Sequence, residues 1–463
     1  MKTVVYFVLW VVSLLFSSIT HAQDFNGSWT GGIYGMPLVF EISNINGQYS
    51  AKMQSPSQSK TYLPMNSIVV DGNQITMLLD AYKIKYQGEL VDDKLIGIFT
   101  QGSGSGKMIL EKKEYVEVKP KRPQEPKAPF PYHIEDVVFT NPKANDIKLA
   151  GTLTLPKNNN NPAVAILISG SGPQDRNEEL FDHKPFLVLA DHLTRKGIAV
   201  FRYDDRGVAQ SQGAQKGATS KDFATDVEAA ITYLKSRKDV DAKKIGLIGH
   251  SEGGLIAPMV IADNKRDVAF FVSLAGPGVD GYHVLLPQIE KSLRFQGVMG
   301  HQLDFEKNLM DAMFLKIIDS KKLSSPLLEN ELVIFMKQLV ANAPDVIKSK
   351  YTDQVISALS KQFSEKWMRF FLSYDPAPNL SKIKCPVLAI NGSLDYQVIP
   401  EINLPGFETA LSKNKDVTIK KIKGLNHLFQ NAQTGSAGEY GQLEETIDQR
   451  TLNLISSWIN SRF

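Results

Sequence analysis

Apolar and polar positions change their period twice along this chain. From 24 to about 114 they alternate with period two, and turn signals are frequent. Asn46-Gly47 and Asp71-Gly72 are hairpin signals, and 37–42, 75–79 and 95–99 read as short strands. The pattern predicts a small antiparallel sheet or up-and-down barrel over 23–114. Residues 115–131 carry five prolines, Pro120 through Pro131, and read as a stiff linker. Beyond 132, short apolar runs alternate with helical patterns. The segments 136–139 and 149–155 read as an antiparallel hairpin at a sheet edge. The runs 163–168, 198–201, 244–248, 269–275 and 385–391 read as buried strands, and 417–422 alternates like a strand. Helical patterns cover 186–193 and 223–234. Strands alternating with helices predict a mostly parallel, doubly wound sheet over 132–463, an α/β class. The alternation breaks from about 282 to 372, where the pattern is helical only, and a helical cap inserted between two strands is expected there.

The chemistry concentrates after the apolar runs. Gly249-His250-Ser251-Glu252-Gly253 fits G-x-S-x-G between a strand and a helix-compatible stretch. In that setting the flanking glycines let strand and helix pack close, and the turn lifts a serine hydroxyl above the sheet edge. An alcohol is a poor nucleophile at neutral pH, so Ser251 needs a base, and the base needs a group to fix its tautomer. Asp395 follows the strand ending near Gly392, and His427 follows the strand ending near Ile422. Both fall at the C-terminal strand edge, where open α/β sheets place their sites. After the run 163–168 comes Ser169-Gly170-Ser171-Gly172. The backbone amides of Ser171 and Glu252 are the expected oxyanion donors.

These residues carry a resemblance. The stretch Gly170 to Asn177 (GSGPQDRN), Arg202-Tyr203-Asp204-Asp205-Arg206-Gly207, the serine turn, Gly392-Ser393-Leu394-Asp395 and Asn426-His427 resemble an α/β-hydrolase of the EstD-type esterase group. That group overlaps the serine aminopeptidase-like hydrolases. The likeness runs roughly from 131 to 463. It implies an α/β-hydrolase fold and serine-hydrolase machinery, and it is weak on substrate.

Composition narrows the partners. The chain of 463 residues carries a net charge of +3, which points to neither nucleic acid nor a strongly acidic partner. Its single cysteine, Cys385, sits in an apolar run and reads as a buried, inert thiol. No paired-cysteine or H-x-x-x-H pattern suggests a metal, and no phosphate loop of the G-x-x-x-x-G-K type occurs, so no cofactor is expected. Residues 1–22 have the form of a signal peptide: Lys2, an apolar stretch over 4–16, then Thr20-His21-Ala22. Export to a periplasm or outside the cell is expected, with no membrane span in the mature chain. The β region reads as a packing or dimerising domain, hence a homodimer, in preference to a ligand or glycan pocket.

Several residues invite over-reading. His250 reads as a packing or polar orienting residue. Asp280, after the run 269–275, is an alternative acid to Asp395. Asp204, Asp205 and Arg206 read as a structural charged turn. The cap is rich in Phe295, Met299, Phe305, Met310, Met313, Phe314, Phe335, Met336, Trp367, Phe370 and Phe371; most of these should form its own core, and a minority should line an apolar acyl pocket. The expected activity is hydrolysis of a small-molecule carboxylic ester, with Ser251 as nucleophile, His427 as base and Asp395 as its partner. A serine aminopeptidase on small peptides is the alternative, followed by a catalytically idle exported binding protein.

Overall fold

The computed structural model describes residues 24–463 except 34–35, 57–58, 60, 103, 117–119, 158–160 and 264–266. The expected signal peptide lies outside the described residues. The chain divides into two units, one ending at Lys119 and one spanning Pro120–Phe463.

The first unit is a nine-stranded antiparallel sheet. Its strands are β1 (Gly27–Ile33), β2 (Met36–Ile45), β3 (Gln48–Gln54), β4 (Leu63–Pro64), β5 (Ser67–Asp71), β6 (Gln74–Leu79), β7 (Ile84–Val91), β8 (Lys94–Gln101) and β9 (Gly104–Lys112). They follow as a meander except that β1 closes against β9. The period-two alternation sends Trp29, Phe40, Ile75, Met77, Tyr86 and Leu110 into one core. The Asn46-Gly47 and Asp71-Gly72 turns join β2 to β3 and β5 toward β6, with positive φ at Asn46, Gly47 and Gly72.

The second unit holds an eight-stranded sheet ordered β10-β11-β13-β12-β14-β15-β16-β17. Here β10 is Tyr132–Asn141, β11 Ile147–Pro156, β12 Val164–Ile168, β13 Ala199–Tyr203, β14 Ile245–His250, β15 Phe271–Leu274, β16 Val387–Gly392 and β17 Val417–Ile422. The first two strands form the edge hairpin, and β11 meets β13 antiparallel. From β13 to β17 all pairings are parallel. A parallel sheet is buried on both faces, so its inner strands β12, β14, β15 and β16 are buried along their whole length, whereas the edge strand β17 is partly exposed and carries Lys420 and Lys421. In β12, Val164, Ile166 and Ile168 face one core, while Ala165 and Leu167 face the other. The first core is covered by α2 (Ser220–Lys235) and α3 (Gly253–Asp263), through Val227, Ile231, Leu255 and Val260. The second is covered by α1 (Pro185–Arg195) and α13 (Gln449–Asn460), through Leu189, Leu193, Leu452 and Ile455. The crossover helices of the doubly wound sheet therefore lie on both sides.

Between β15 and β16 the chain is helical: α4 (Gly281–Phe295), α5 (Gly300–Asp319), α6 (Ser325–Ala341), α7 (Asp345–Lys348), α8 (Asp353–Ser364), α9 (Lys366–Ser373) and α10 (Ala377–Leu380). Met310, Met313, Phe314 and Met336 pack in a core of their own. Phe295 and Met299 do not join it; they are exposed. Helix α11 (Pro400–Ala410) follows β16, and α12 (Ala437–Tyr440) precedes α13.

The expected linker over 115–131 is corrected at its second half. Arg122 donates to the carbonyls of Asp182 at 2.9 Å, Phe181 at 3.1 Å, Gly441 at 2.9 Å and Leu443 at 2.7 Å. Gln124 exchanges hydrogen bonds with the backbone of Ile447 and Thr446. The prolines signalled stiffness, but the polar side chains between them bind this strap to the rest of the second unit. The fragment Pro120–Phe463, expressed alone, should therefore fold with a single cooperative melt by circular dichroism. A fragment cut at 132 should melt lower by several degrees, having lost the Arg122 and Gln124 contacts.

Candidate active site

Ser251 sits between the last residue of β14 and the start of α3 with φ 51°, in the left-handed region. A non-glycine residue held there stores strain of ~1–3 kcal/mol. Its amide donates to the Leu274 carbonyl at 2.9 Å, tying the turn to β15. The flanking positions leave no room for a side chain. A Cβ on Gly249 would meet the Gly253 backbone at 2.2 Å, and one on Gly253 would meet the Ile168 carbonyl oxygen at 2.2 Å. Strand, helix and the neighbouring β12 thus pack backbone to backbone around the serine.

Asp395 and His427 come from the ends of β16 and β17. His427 Nδ1 lies 2.8 Å from Asp395 Oδ2, and both residues are 4% exposed. The other oxygen, Asp395 Oδ1, accepts the amides of Gln397 at 2.8 Å and Val398 at 3.0 Å, which fixes the carboxylate plane. A carboxylate at Nδ1 selects the tautomer with Nδ1–H, leaving Nε2 as the basic nitrogen. The His427 loop is held by buried Asn426, whose Oδ1 accepts the amides of Leu428 at 3.0 Å and Gln430 at 2.9 Å. It lies close over β16, because a Cβ on Gly392 would meet the Leu425 carbonyl at 2.2 Å.

Ser251 and His427 line one cavity of about 330 Å³ together with Gly170, Ser171 and Glu252. The cap supplies Val284, Leu285, Trp367 and Phe371 to its wall, and Trp367 and Phe371 stack with ring centroids 5.1 Å apart. Ser171 is exposed in the loop after β12, and Gly170 approaches so closely that a Cβ there would stand 3.2 Å from Ser251 Cβ.

Glu252 brings a second feature. Its side chain is 2% exposed, and Oε1 accepts from Ser220 Oγ at 2.5 Å and Trp367 Nε1 at 2.8 Å. Burial raises its pKa above the ordinary value, against the hydrogen bonds from Ser220 and Trp367. One carboxyl thus joins α2 and the cap.

The remaining candidates have structural places. Asp280 caps α4, accepting from the His283 amide at 3.1 Å, and pairs with the His283 ring rather than with His427. Asp204 pairs with Arg176 at 2.7 Å and Arg206 with Asp226 at 2.7 Å. Asp205 accepts from Ser169 Oγ at 2.7 Å, the Gln174 amide at 3.1 Å and Gln215 Nε2 at 3.1 Å, and burial pushes its pKa up to about 7. Burial likewise raises the Cys385 thiol to about 12, where it is un-ionised. His250 has both ring nitrogens engaged, by Glu178 and the His427 carbonyl. Sequence reasoning missed Glu178, Ser220 and the Trp367 hydrogen bond. The only signal for Glu178 was its place one residue beyond the motif ending at Asn177. Among the described residues no cluster of three or more His, Cys, Asp or Glu side chains could hold a metal, and no helix is long and apolar enough to cross a membrane.

Comparison with known proteins identifies a family. A family model described as serine aminopeptidase, S33 matches residues 184–433. Over 311 residues the chain is 27% identical to Esterase EstD of Thermotoga maritima, a match that takes in 67% of this chain and 65% of that protein. The chain thus spans just under two thirds of that relative's length. It is 24% identical over 231 residues to an uncharacterised 31.7 kDa protein of the traX-finO intergenic region of Escherichia coli, covering 50% of this chain and 73% of that one. The solved structure of a Pyrococcus furiosus esterase superposes with a TM-score of 0.42 at 15% identity, covering 75% of this chain and 99% of that one. With a parallel sheet, a serine at the turn between β14 and α3, and more than half its length matched, the chain belongs to the serine aminopeptidase S33 family of α/β-hydrolases.

Proposed function

We propose that the protein is a serine hydrolase of small-molecule carboxylic esters, exported from the cytoplasm, that works through an acyl-enzyme. The observation that carries this reading is the convergence of Ser251, held in a strained turn, with the His427–Asp395 pair on one cavity. In this mechanism Ser251 Oγ attacks the ester carbonyl and His427 Nε2 takes its proton. Asp395 stabilises the imidazolium through Nδ1–H. The oxyanion is met by the amides of Glu252 and Ser171. Collapse of the tetrahedral intermediate breaks the C–O bond, and His427 returns the proton to the departing alcohol. Water then repeats the sequence with the acyl-enzyme, releasing the acid and free Ser251.

An aminopeptidase needs, besides this machinery, a carboxylate free to bind a substrate's terminal ammonium. The cavity wall contains two carboxyl groups, Glu178 and Glu252. Glu178 is taken by the Gly170 amide and His250, and Glu252 by Ser220 and Trp367. The cap contributes Val284, Leu285, Trp367 and Phe371 to the wall, and its one polar lining residue, Gln288, is an uncharged amide. Ester substrates with an uncharged, apolar acyl group suit these surroundings better than a peptide with a charged amine.

A panel of 4-nitrophenyl esters of rising acyl length beside aminoacyl 4-nitroanilides tests this. Short to medium esters should exceed the amides in kcat/KM by at least 100-fold; a preference for the anilides would overturn the ester assignment. Ser251→Ala should lower kcat on the best ester by on the order of 10⁴–10⁶-fold without loss of fold.

The Glu252 carboxyl predicts a pH effect on stability. Its folded pKa lies above the ordinary glutamate value because it is buried. Its contribution is therefore complete below the unfolded value and is lost as pH rises through the folded one. Glu252→Gln keeps an acceptor oxygen for Ser220 and Trp367 and removes the ionisation. The thermal midpoint of the native chain minus that of E252Q should fall as pH is raised from about 4 to about 8. A pH-independent difference would show that the carboxyl ionises as freely in the fold as out of it.

A further inference from the structure

Glu178 and His250 are absent from the mechanism above. Glu178 Oε1 accepts the Gly170 amide at 2.7 Å and lies 2.8 Å from His250 Nδ1. His250 Nε2 lies 3.1 Å from the carbonyl of His427. Both side chains are buried, with Glu178 at 2% and His250 at 7% exposure, and the rings of His250 and His427 are 4.9 Å apart.

The chemistry of these contacts is restrictive. The two nitrogens of His250 face a carboxylate oxygen and a peptide carbonyl, which only accept. Satisfying both takes two N–H groups, which only the imidazolium has. A buried imidazolium needs a counter-charge in contact, and Glu178 is that charge. Glu178 is held at φ 52°, in the left-handed region that residues with a Cβ avoid, so its backbone is bent to bring the carboxyl to this point. Removing one partner of such a pair leaves the other buried and uncompensated.

We propose that Glu178 and His250 form one buried, charged clamp that positions the acyl-transfer machinery, fixing the Gly170–Ser171 loop and the backbone of His427 relative to Ser251. The inference rests on the acyl-transfer reading above. Neither residue touches the reacting atoms in this role; both are positioning residues. One end of the clamp sets the loop that offers the Ser171 amide, and the other sets the loop that carries the base. Both must stay in register with a serine that is fixed by its own turn. Displacement of an oxyanion donor or a base by a fraction of an ångström lowers turnover while leaving substrate contacts with the cap unchanged.

The clamp also sets a pH dependence. Burial works against the cation on His250, but the charge and hydrogen bond of Glu178, the His427 carbonyl and the more distant charge of Asp395 outweigh it and hold the pKa above the ordinary value. The facing titratable groups are Glu178, His427 and Asp395, and the charge of Glu178 also reaches Asp205. As pH rises through the folded pKa, His250 loses one N–H and the clamp loses one contact. Turnover should then fall on the alkaline side. Replacing the carboxylate by an amide should move that fall to lower pH.

The test uses the full chain with a 4-nitrophenyl ester and the variants Glu178→Gln, Glu178→Ala, His250→Gln, the Glu178→Ala/His250→Gln double and Ser251→Ala. Folded fraction is checked by circular dichroism. E178A and H250Q should each lower kcat by about 10- to 100-fold with KM within about threefold. The double should lose no more than the worse single, because either change breaks the whole clamp. E178Q keeps the acceptor oxygen but not the charge; its alkaline limb should shift to lower pH, a signature that a packing role would not produce. His250→Asn, which retains an amide near the Nδ1 position, serves if H250Q does not fold. If S251A is dead while E178A and H250Q keep kcat within twofold, the clamp is refuted and the acyl-transfer reading stands. Losses that multiply in the double, or an unmoved alkaline limb in E178Q, refute it equally. Full turnover in S251A would instead refute the acyl-transfer reading.

Discussion

The rest of the site depends on a steric constraint at the end of β14. Gly249, Gly253 and the Ile168 carbonyl are packed so closely that no Cβ fits at either glycine. Ser251 therefore turns through the left-handed region, and α3 begins directly against the sheet. That close approach has two consequences. The hydroxyl leaves the sheet on its C-terminal side, where the loops after β12, β16 and β17 also emerge. The amide of Glu252 comes to lie at the helix N-terminus, where backbone donors have no partner within the helix. A lifted serine hydroxyl and a helix N-terminal amide beside it, the two elements the proposed mechanism uses first, thus come from one packing event, and the strain at Ser251 is the cost of it.

Everything else at the site must be brought to that fixed serine by loops, and loops are mobile unless held. The loop after β12 is held from below by charge. Asp205 takes Ser169 and the Gln174 amide, Asp204 takes Arg176, Arg202 takes Asn177, and Glu178 takes the Gly170 amide. Buried charges are costly without partners, so loop groups that satisfy them, by ion pairing at Asp204 and by neutral hydrogen bonds at Asp205 and Arg202, leave few alternative loop arrangements. The loop carrying His427 is held by amide groups instead, through Asn426 and Gln430. The difference follows from position. The first loop lies over a turn that already carries Asp204, Asp205 and Arg206, whereas the second packs on the apolar end of β16.

What could be read from the sequence was what repeats or is local. Strands β12 and β14 show as unbroken apolar runs because both their faces are buried, and the order of Ser251, Asp395 and His427 follows from strand ends. The cap showed as a stretch without strand patterns. What could not be read was any contact between residues far apart in sequence whose types are common. Glu178 is an ordinary charged residue in a polar stretch until the fold places it against His250, 72 positions later. Trp367 looked like one more apolar residue of a cap helix, and only the fold shows its indole N–H on Glu252. Phe295 and Met299 were misjudged as cap core for the complementary reason, since apolar type does not reveal which helix face lacks a neighbour. Arg122 and Gln124 were hidden by the prolines around them, which describe backbone stiffness and say nothing of side-chain partners.

The Glu252 carboxyl alters how the cap should be understood. A cap that only walled the cavity could vary freely without touching the chemistry. Here the indole of Trp367 is hydrogen-bonded to the side chain of Glu252, the residue after Ser251, whose amide meets the oxyanion in the proposed mechanism. The cavity wall and the residue proposed to give one oxyanion amide therefore share one buried group. Under that mechanism a substrate that pushes Trp367 aside strains the Glu252 side chain, and one that leaves the indole seated lets the Glu252 amide keep its aim. Binding and turnover would then be coupled at this point, and acyl-group selection would act on the transition state as well as on the ground state.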